Sequence, residues 1–427
     1  MSAEQANLTD PAAAKRAKRE AMEQAGLNPY PYDHKRTHMA AQLQNEYKAL
    51  ENGAETEDEV AVAGRIMAMR NNGMFIDLMD TSGRIQVFCH KDSMPEDEMT
   101  KLQYLDLGDI VNAVGTMRRT PRGELSVRCT QMNVLTKSLL PLPEKHHGLS
   151  DIEQRYRQRY VDLIMNEETQ KTLLARSKIL RFLRDYLNER GAIEVETPML
   201  QPIMGGASAR PFVTHHNTLD SNFYLKVAAE LYLKRLLVGG LAEHVYEIGR
   251  YFRNEGVSVK HNPEFTGGEG NVLYADYTDM MELVEDMVSS TVEHIHGAKE
   301  IVYGDHVLNF ATPWKRVSMI DAVKEKCGIN FLDFESAADA HKAAREQGIN
   351  LDPKLNWGQV VEEMFAELVE PHLVQPTHVI DYPFEISPLA KVHPSNPRLT
   401  ERFESFVNGW EIANAFTELN DPTGQRQ

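Results

Sequence analysis

Five short runs that alternate apolar and polar residues follow one another in quick succession: Val60–Met69, Met74–Leu78, Ile85–Cys89, Ile110–Met117 and Leu125–Leu135. Alternation at every second residue is the signature of a strand with one buried face. Glycines and charged turns separate the runs. Short strands packed so closely along the chain are best satisfied by a small closed barrel, which leaves no unpaired edge, and an OB-fold is the expected form.

The flanking sequence has a different texture. Residues 10–58 are rich in Ala, Lys, Arg, Glu and Gln and read as helical, with Asp10 placed to cap and Pro11 in the first turn. The turn at Asn28-Pro29-Tyr30-Pro31-Tyr32 interrupts them. Pro141 and Pro143 mark a stiff boundary, and Ser150-Asp151-Ile152-Glu153 reads as a capping box opening an Arg/Tyr-rich helix. Residues 165–427 mix amphipathic helices (Leu173–Arg190, Asp276–Ile295) with strands in no regular β-α-β order, which predicts an α+β domain. The expected organisation is a helical extension (1–58), a barrel (59–140), a linker helix (141–164) and an α+β domain (165–427).

At 427 residues the chain is too long for one ordinary core. It has neither an apolar run long enough to span a bilayer nor a signal-peptide core near its start, and so reads as cytoplasmic. Cys89, Cys129 and Cys327 stand apart in sequence with no CxxC or Cys/His cluster, so neither a disulfide framework nor a zinc site is indicated. The formal charge of −17 argues against non-specific nucleic-acid binding, and any such contact must come from local basic patches. Candidates are Lys15, Arg16, Lys18 and Arg19, then Arg118, Arg119 and Arg122, then Arg155, Arg157 and Arg159; each group also suits a solvated face.

Two segments carry chemistry. Alternation through Tyr246–Glu255 points Glu247, Tyr251, Arg253 and Glu255 to one side of a strand, and after a basic, polar loop a second strand puts Phe265, Glu269 and Asn271 on one face. A guanidinium fork, carboxylates and an aromatic ring on paired strands suit a nucleotide, the alternative being an ordinary hairpin with a surface ion pair. Further on, Asn408-Gly409 is a strong signal for a two-residue hairpin turn. It sets Phe406 opposite Glu411 and makes Glu404 a diagonal neighbour, two like charges that repel unless a cation lies between them.

The run Phe252-Arg253-Asn254-Glu255, followed by His261-Asn262-Pro263-Glu264-Phe265-Thr266, closely resembles motif 2 of the class II aminoacyl-tRNA synthetases, in wording similar to the lysyl-tRNA synthetases. The resemblance runs from about Val60 to the last residue. Gly191–Leu200 is similar to motif 1, and Gly205–Phe212, Glu230–Lys234, Ser387–Lys391 and Glu411–Asp421 are similar to further segments in the same order. It implies an anticodon-binding OB barrel, a catalytic core of antiparallel sheet flanked by helices, and a homodimer joined through motif 1. The implied reaction joins lysine to ATP as lysyl-adenylate and passes it to tRNA(Lys), with Mg2+ as cofactor.

Residue by residue, the resemblance assigns Arg253 to bridge the lysine carboxylate and the α-phosphate, Glu255 and His261 to ATP, and Phe265 to the adenine ring. Glu404 and Glu411 match metal-binding carboxylates. Glu230 and Glu418 match the positions that take the side-chain ammonium, Glu269 and Gly206 those that take the α-amino group, while Asn414 and Phe416 line the cavity. Strict alternation would turn Asn414, Phe416 and Glu418 away from Glu411, so a bulge or bend is required near Ala413. In the barrel, Phe75 matches a base-stacking position and Gln86 and Glu124 match hydrogen-bonding ones; a core aromatic and two solvated strand positions are the alternatives.

The chain also departs from the pattern. Gly267-Gly268-Glu269-Gly270-Asn271 has glycines where bulky residues are usual and Asn271 where a tyrosine helps enclose lysine, which predicts a wider, looser pocket. Ala229 stands where many relatives have proline, and Trp410 where a basic or small residue is usual. No GxGxGxxR segment occurs, and Asp421–Gln427 reads as the start of a helix cut short, so an incomplete catalytic domain is expected. A catalytically inactive, tRNA-binding relative is the alternative function. The aspartyl and asparaginyl enzymes share the plan, but two acidic pocket residues disfavour them.

Overall fold

The computed structural model describes residues 10–32, 34–143, 149–207 and 209–426, and the chain forms two compact units, 1–170 and 171–427. In the first, α1 (Pro11–Gln24) is capped by Asp10, whose side chain accepts from the Ala12 N–H, and α2 (Ala40–Glu46) is a short second helix. The remainder of 10–58 departs from the helical expectation. Thr37 and His38 donate to Ala61 O, and β1 begins at Glu55, because the edge of the barrel offers that backbone a ladder partner.

The barrel itself is as expected. β1 (Glu55–Arg70), β2 (Phe75–Met79), β3 (Arg84–Phe88), β4 (Ile110–Arg119) and β5 (Leu125–Thr136) close in the order β1-β2-β3-β5-β4, with α3 (Glu96–Lys101) between β3 and β4. Val60, Val62, Ile66, Ile76, Leu78, Val87, Val111 and Val127 fill it. Cys89 and Cys129, remote in sequence, belong to the same buried cluster.

Most of the candidate basic patch turns out to be structural. Lys15 is buried and donates to Leu107 O, Lys18 pairs with Asp106, and Lys137 lies fully buried between Asp106 and Asp109. Arg119 donates to three backbone carbonyls, those of Tyr47, Leu50 and Gly123. In α4 (Ile152–Arg157) and α5 (Arg159–Met165), Arg155 and Arg159 both clamp the buried carboxylate of Asp162, and Arg157 pairs with Glu153. The cap of α4 is Asp151, one residue later than expected: its carboxylate accepts from the Glu153 N–H.

The second unit is α+β. It opens with α6 (Glu167–Glu189), which runs over from the first, and continues through β6 (Ile193–Glu194), β7 (Leu200–Gln201), β8 (Val213–His216), β9 (Ser221–Leu225) and α7 (Glu230–Val238). Next come β10 (His244–Phe252), β11 (Glu264–Val272), α8 (Tyr277–His296), and the hairpin β12 (Glu300–Tyr303) and β13 (His306–Asn309). β14 (Lys315–Ser318) leads into α9 (Met319–Cys327), α10 (Ala337–Glu346) and α11 (Trp357–Leu368). The chain returns through β15 (Thr377–Ile380), β16 (Arg402–Val407) and β17 (Trp410–Phe416) to α12 (Pro422–Arg426).

Two sheets matter for function, β11-β10-β6 and β14-β15-β16-β17. Helix α8 backs both: Leu283 and Met287 pack with Tyr246 of β10, while Met281 and Val284 pack with Phe403 of β16. Asp276 and Asp279 form a reciprocal capping box that sets where this helix starts. One apolar helix face thus holds the two sheets on a common support. Helices α9 to α11 build a core of their own around Val323, Phe331, Trp357 and Met364, joined to β15 and β16 by Val379 and Phe406.

Candidate active site

β10 and β11 pair antiparallel with Glu247 opposite Glu269 and Tyr251 opposite Phe265, so these four share a face as alternation predicts. Their roles differ, however. Glu247 and Tyr251 are buried, Glu247 accepting from Lys226 Nζ and, at 2.6 Å, from Thr197 Oγ1. Neither is open to a ligand. The strand ends at Phe252; the Arg253 N–H donates to Pro263 O, and Pro263 has no N–H to return a bond, so the ladder stops. Glu255 therefore leaves the alternation and stands exposed on the loop, as does His261, whose Nδ1 lies 3.0 Å from Ser258 Oγ.

Arg253 stays half-buried at the loop's root, its guanidinium carbon 5.3 Å from the centre of the Phe265 ring. Its Nε is buried without a hydrogen-bond partner among the described residues. A buried donor left unpaired costs about 1–3 kcal/mol, so this one is poised for an acceptor.

Glu269 turns toward the start of α7, where it accepts the Ala229 N–H at 2.7 Å. A proline at that position could not donate. Burial, with Glu230 adding to it, pushes Glu269 up to about 7 against the opposing pull of the Ala229 bond and of Arg253. The adjacent glycines are not slack: β11 runs unbroken from Glu264 to Val272, and a Cβ on Gly267 would lie 3.1 Å from the Tyr251 ring. At Gly267, therefore, a side chain would crowd the tyrosine ring. Gly206, at φ +90°, sits so close to α7 that a Cβ would meet Ala228 Cβ at 3.0 Å and Glu230 Cβ at 3.4 Å.

The hairpin of β16 and β17 turns at Asn408-Gly409 and pairs Phe406 with Glu411, as read from sequence. Beyond that pair the register slips. Ser405 faces Ala413 and Glu404 faces Asn414, which leaves Ile412 as the extra residue of a bulge. The slip brings Asn414 beside Glu404 (3.4 Å) and sets Phe416 opposite Arg402. Arg402 bonds Glu404 at 2.6 Å. Glu411 keeps part of its surface open, yet burial and the neighbouring Glu404 push its carboxyl up to about 7, with Arg402 and Arg253 opposing.

At the far end, Glu418 and Glu230 converge on one ammonium: Lys234 Nζ lies 2.9 Å from Glu418, hydrogen-bonds Glu230, and stands 5.7 Å from the Phe416 ring centre. Arg253, Phe265, Glu269, Glu230, Gly206, Phe416, Glu418, Asn414, Glu404 and Glu411 thus form linked neighbourhoods on adjoining elements. Lys234 and Lys226 were not singled out by sequence reasoning, and Ala229 was noted only as standing in place of a proline; only the spacing of Glu230 and Lys234, four apart on a helix, signalled one of these contacts.

Magnesium needs clustered hard oxygens. Among the described residues no three His, Cys, Asp or Glu side chains group to hold a metal by themselves. Glu404 and Glu411 supply two carboxylates whose mutual repulsion a divalent cation would relieve, so they fit a shared site completed by phosphate oxygens and water.

On the barrel, Phe75 packs 5.2 Å from Phe88, which stacks on His90 and carries Arg118 over its ring at 4.5 Å. Gln86 is only 7% exposed and accepts from Ser126 Oγ, which corrects the picture of a solvated strand position. Glu124 is half-buried, with Arg84 Nη2 at 3.4 Å.

These elements correspond to known families. Residues 151–427 match the class II tRNA synthetases (D, K and N), and residues 60–135 match the OB-fold nucleic acid binding domain. The chain belongs to the class II tRNA synthetase family. It is similar to the lysine–tRNA ligase of Sinorhizobium medicae, 53% identical over 93% of this chain and 80% of that one. The lysine–tRNA ligases of Dehalococcoides mccartyi (49% identical; 97% and 84%) and Staphylococcus saprophyticus (48%; 98% and 86%) are similar over still more of the chain. No helix among the described residues is long and apolar enough to cross a membrane.

Proposed function

We propose that this chain is a lysine–tRNA ligase that activates lysine with ATP and transfers it to tRNA(Lys). The observation that carries the choice of amino acid is the convergence of Glu230 and Glu418 on a primary ammonium beside Phe416. Two carboxylates aimed at one cation suit a lysine side chain and would repel an aspartate.

Attack of the lysine carboxylate on the α-phosphate brings two anions together, so the protein's task is positioning and charge neutralisation. Arg253 takes the bridging position, with its unpaired Nε and fork available to both groups. Phe265 offers its ring to adenine, and Glu255 and His261 reach ATP from the loop. Glu404 and Glu411 hold Mg2+, which neutralises phosphate charge when bound. Glu269 and Gly206 take the α-amino group, and Asn414 lines the cavity.

On the barrel, Phe75 stacks on an anticodon base, with Gln86 and Glu124 as hydrogen-bonding partners. Exposed Ile193, Met199, Leu200, Ile203 and Met204 in and after the motif 1 segment support packing of a second copy there, giving a homodimer.

ATP–pyrophosphate exchange with each amino acid in turn tests the reading. Exchange dependent on lysine is expected. Exchange with aspartate or asparagine instead, or none with any amino acid from folded protein, would overturn it. A second expectation concerns pH. Glu269 must be ionised to hold an ammonium, and its proton leaves near pH 7. Lysine affinity should therefore level off above that pH and fall toward about tenfold per unit below it. Affinity that does not change between pH 6 and 8, or a Glu269→Gln variant that keeps the same profile, would remove Glu269 from the α-amino site.

A further inference from the structure

The geometry points to Lys234 as a resident rival for the ligand's side-chain ammonium, and so as a residue that sets how tightly and selectively the pocket takes a cation. The inference rests on the lysine-pocket reading of Glu230 and Glu418 and deepens it.

Lys234 lies one helical turn after Glu230 on α7 and bonds both Glu230 Oε1 and Glu418 Oε1. Its Nζ also faces the Phe416 ring. These are the three groups expected to surround the ammonium of bound lysine, and Lys234 presents them with the same chemical group on the same four-carbon stem. An ammonium has three N–H donors, and two are committed to the carboxylates. A second ammonium entering between them must take over those oxygens or share them, and either loosens the resident pairs.

Lys234 is able to yield. Its side chain is about a quarter exposed, and Lys stems reach water readily. In place, it prevents Glu230 and Glu418 from facing each other as unpaired like charges, and the two pairs hold its own ammonium in the charged form. The cost falls on the ligand. Lysine exchanges one ion pair for another and gains less than it would from two free carboxylates. A neutral ligand displaces no charge and wins nothing from either carboxylate, so Lys234 lowers cation affinity specifically.

The test is equilibrium binding of L-lysine and of norleucine, whose four-carbon side chain lacks the ammonium, to the full 427-residue chain, wild type and Lys234→Met, with folding followed by circular dichroism. The Met variant keeps the length of the stem and removes the charge; Lys234→Gln serves if it does not fold. L-lysine should bind about tenfold more tightly to the variant, the equivalent of about 1.4 kcal/mol, with norleucine nearly unchanged. A purely structural role would move both ligands together. Lysine binding by a variant but not by the wild type also supports the rivalry. Lysine binding that is measurable in the wild type and unchanged or weaker in both variants overturns this inference alone. No lysine binding to any of the folded proteins overturns the pocket reading and the inference with it.

Discussion

Replacing Arg253 with alanine is expected to cut lysine-dependent ATP–pyrophosphate exchange by about 10²- to 10³-fold, the scale on which one preorganised charge contact to a transition state acts. Its placement gives the reason. The side chain rests against Phe265, leaves Nε buried and unpaired, and favours the ionised form of both Glu269 and Glu411. It therefore stands between the carboxylates assigned to the amino acid and those assigned to the metal, the place proposed for the meeting of the lysine carboxylate with the α-phosphate. Removing it loses the bridge and also leaves two acidic groups closer to neutral. Lysine in its place should not restore the rate, because a point charge cannot reproduce a planar fork engaging two oxyanions at once. Affinity for tRNA, measured by filter binding, should stay within about twofold, since losses of more than that come from removing a base-stacking or phosphate contact and Arg253 is assigned neither. Equal losses in exchange and tRNA binding would mean that Arg253 supports the fold instead.

How far the sequence revealed this site depends on the range of the interactions involved. The five barrel strands were legible because alternation is a local property, and each was located to within a few residues except at the start of β1. The hairpin at Asn408-Gly409 was legible because turn chemistry sets the register, and the bulge beside Ala413 because that register conflicts with the face on which the family resemblance puts Asn414, Phe416 and Glu418, a conflict that one extra residue at Ile412 resolves. Residues 10–58 misled because composition favours helix, whereas tertiary pairing decides: Thr37 and His38 bond Ala61, and Glu55 enters the barrel edge. The two-residue strands β6 and β7 have no periodicity to read.

Partners distant in sequence were the least visible. Ala229 looked like neutral variation until its N–H was seen on Glu269, forty residues away. Gly267 looked like weakness until the Tyr251 ring was found against it. Glu247 looked like a ligand-facing carboxylate because alternation assigns a face and says nothing about what already covers it.

That buried carboxylate carries the second large effect. Lys226 is 0% exposed and Glu247 5%, and they form an ion pair with Thr197 completing it and the Tyr251 ring 5.1 Å from the ammonium. Breaking such a pair by removing one partner leaves an uncompensated charge in the interior, at a cost of about 3–5 kcal/mol, whereas replacing both can be nearly neutral. Glu247→Leu should therefore destabilise residues 171–427 by about that amount, and Lys226→Met combined with Glu247→Leu should recover most of it. Urea unfolding followed by tryptophan fluorescence isolates the effect, because Trp314, Trp357 and Trp410 are the chain's three tryptophans and all lie in this unit. A loss under about 1 kcal/mol, typical of an exposed pair, would contradict the burial argument. The pair also bears on catalysis through the backbone. Lys226 O accepts the Phe252 N–H and Arg210 O the Asn254 N–H at 2.7 Å, so the residue that follows β9 and the loop before β8 hold the residues on either side of Arg253. In the single variant, lysine-dependent exchange should fall even at temperatures where the unit remains folded, and the double variant should regain it along with stability.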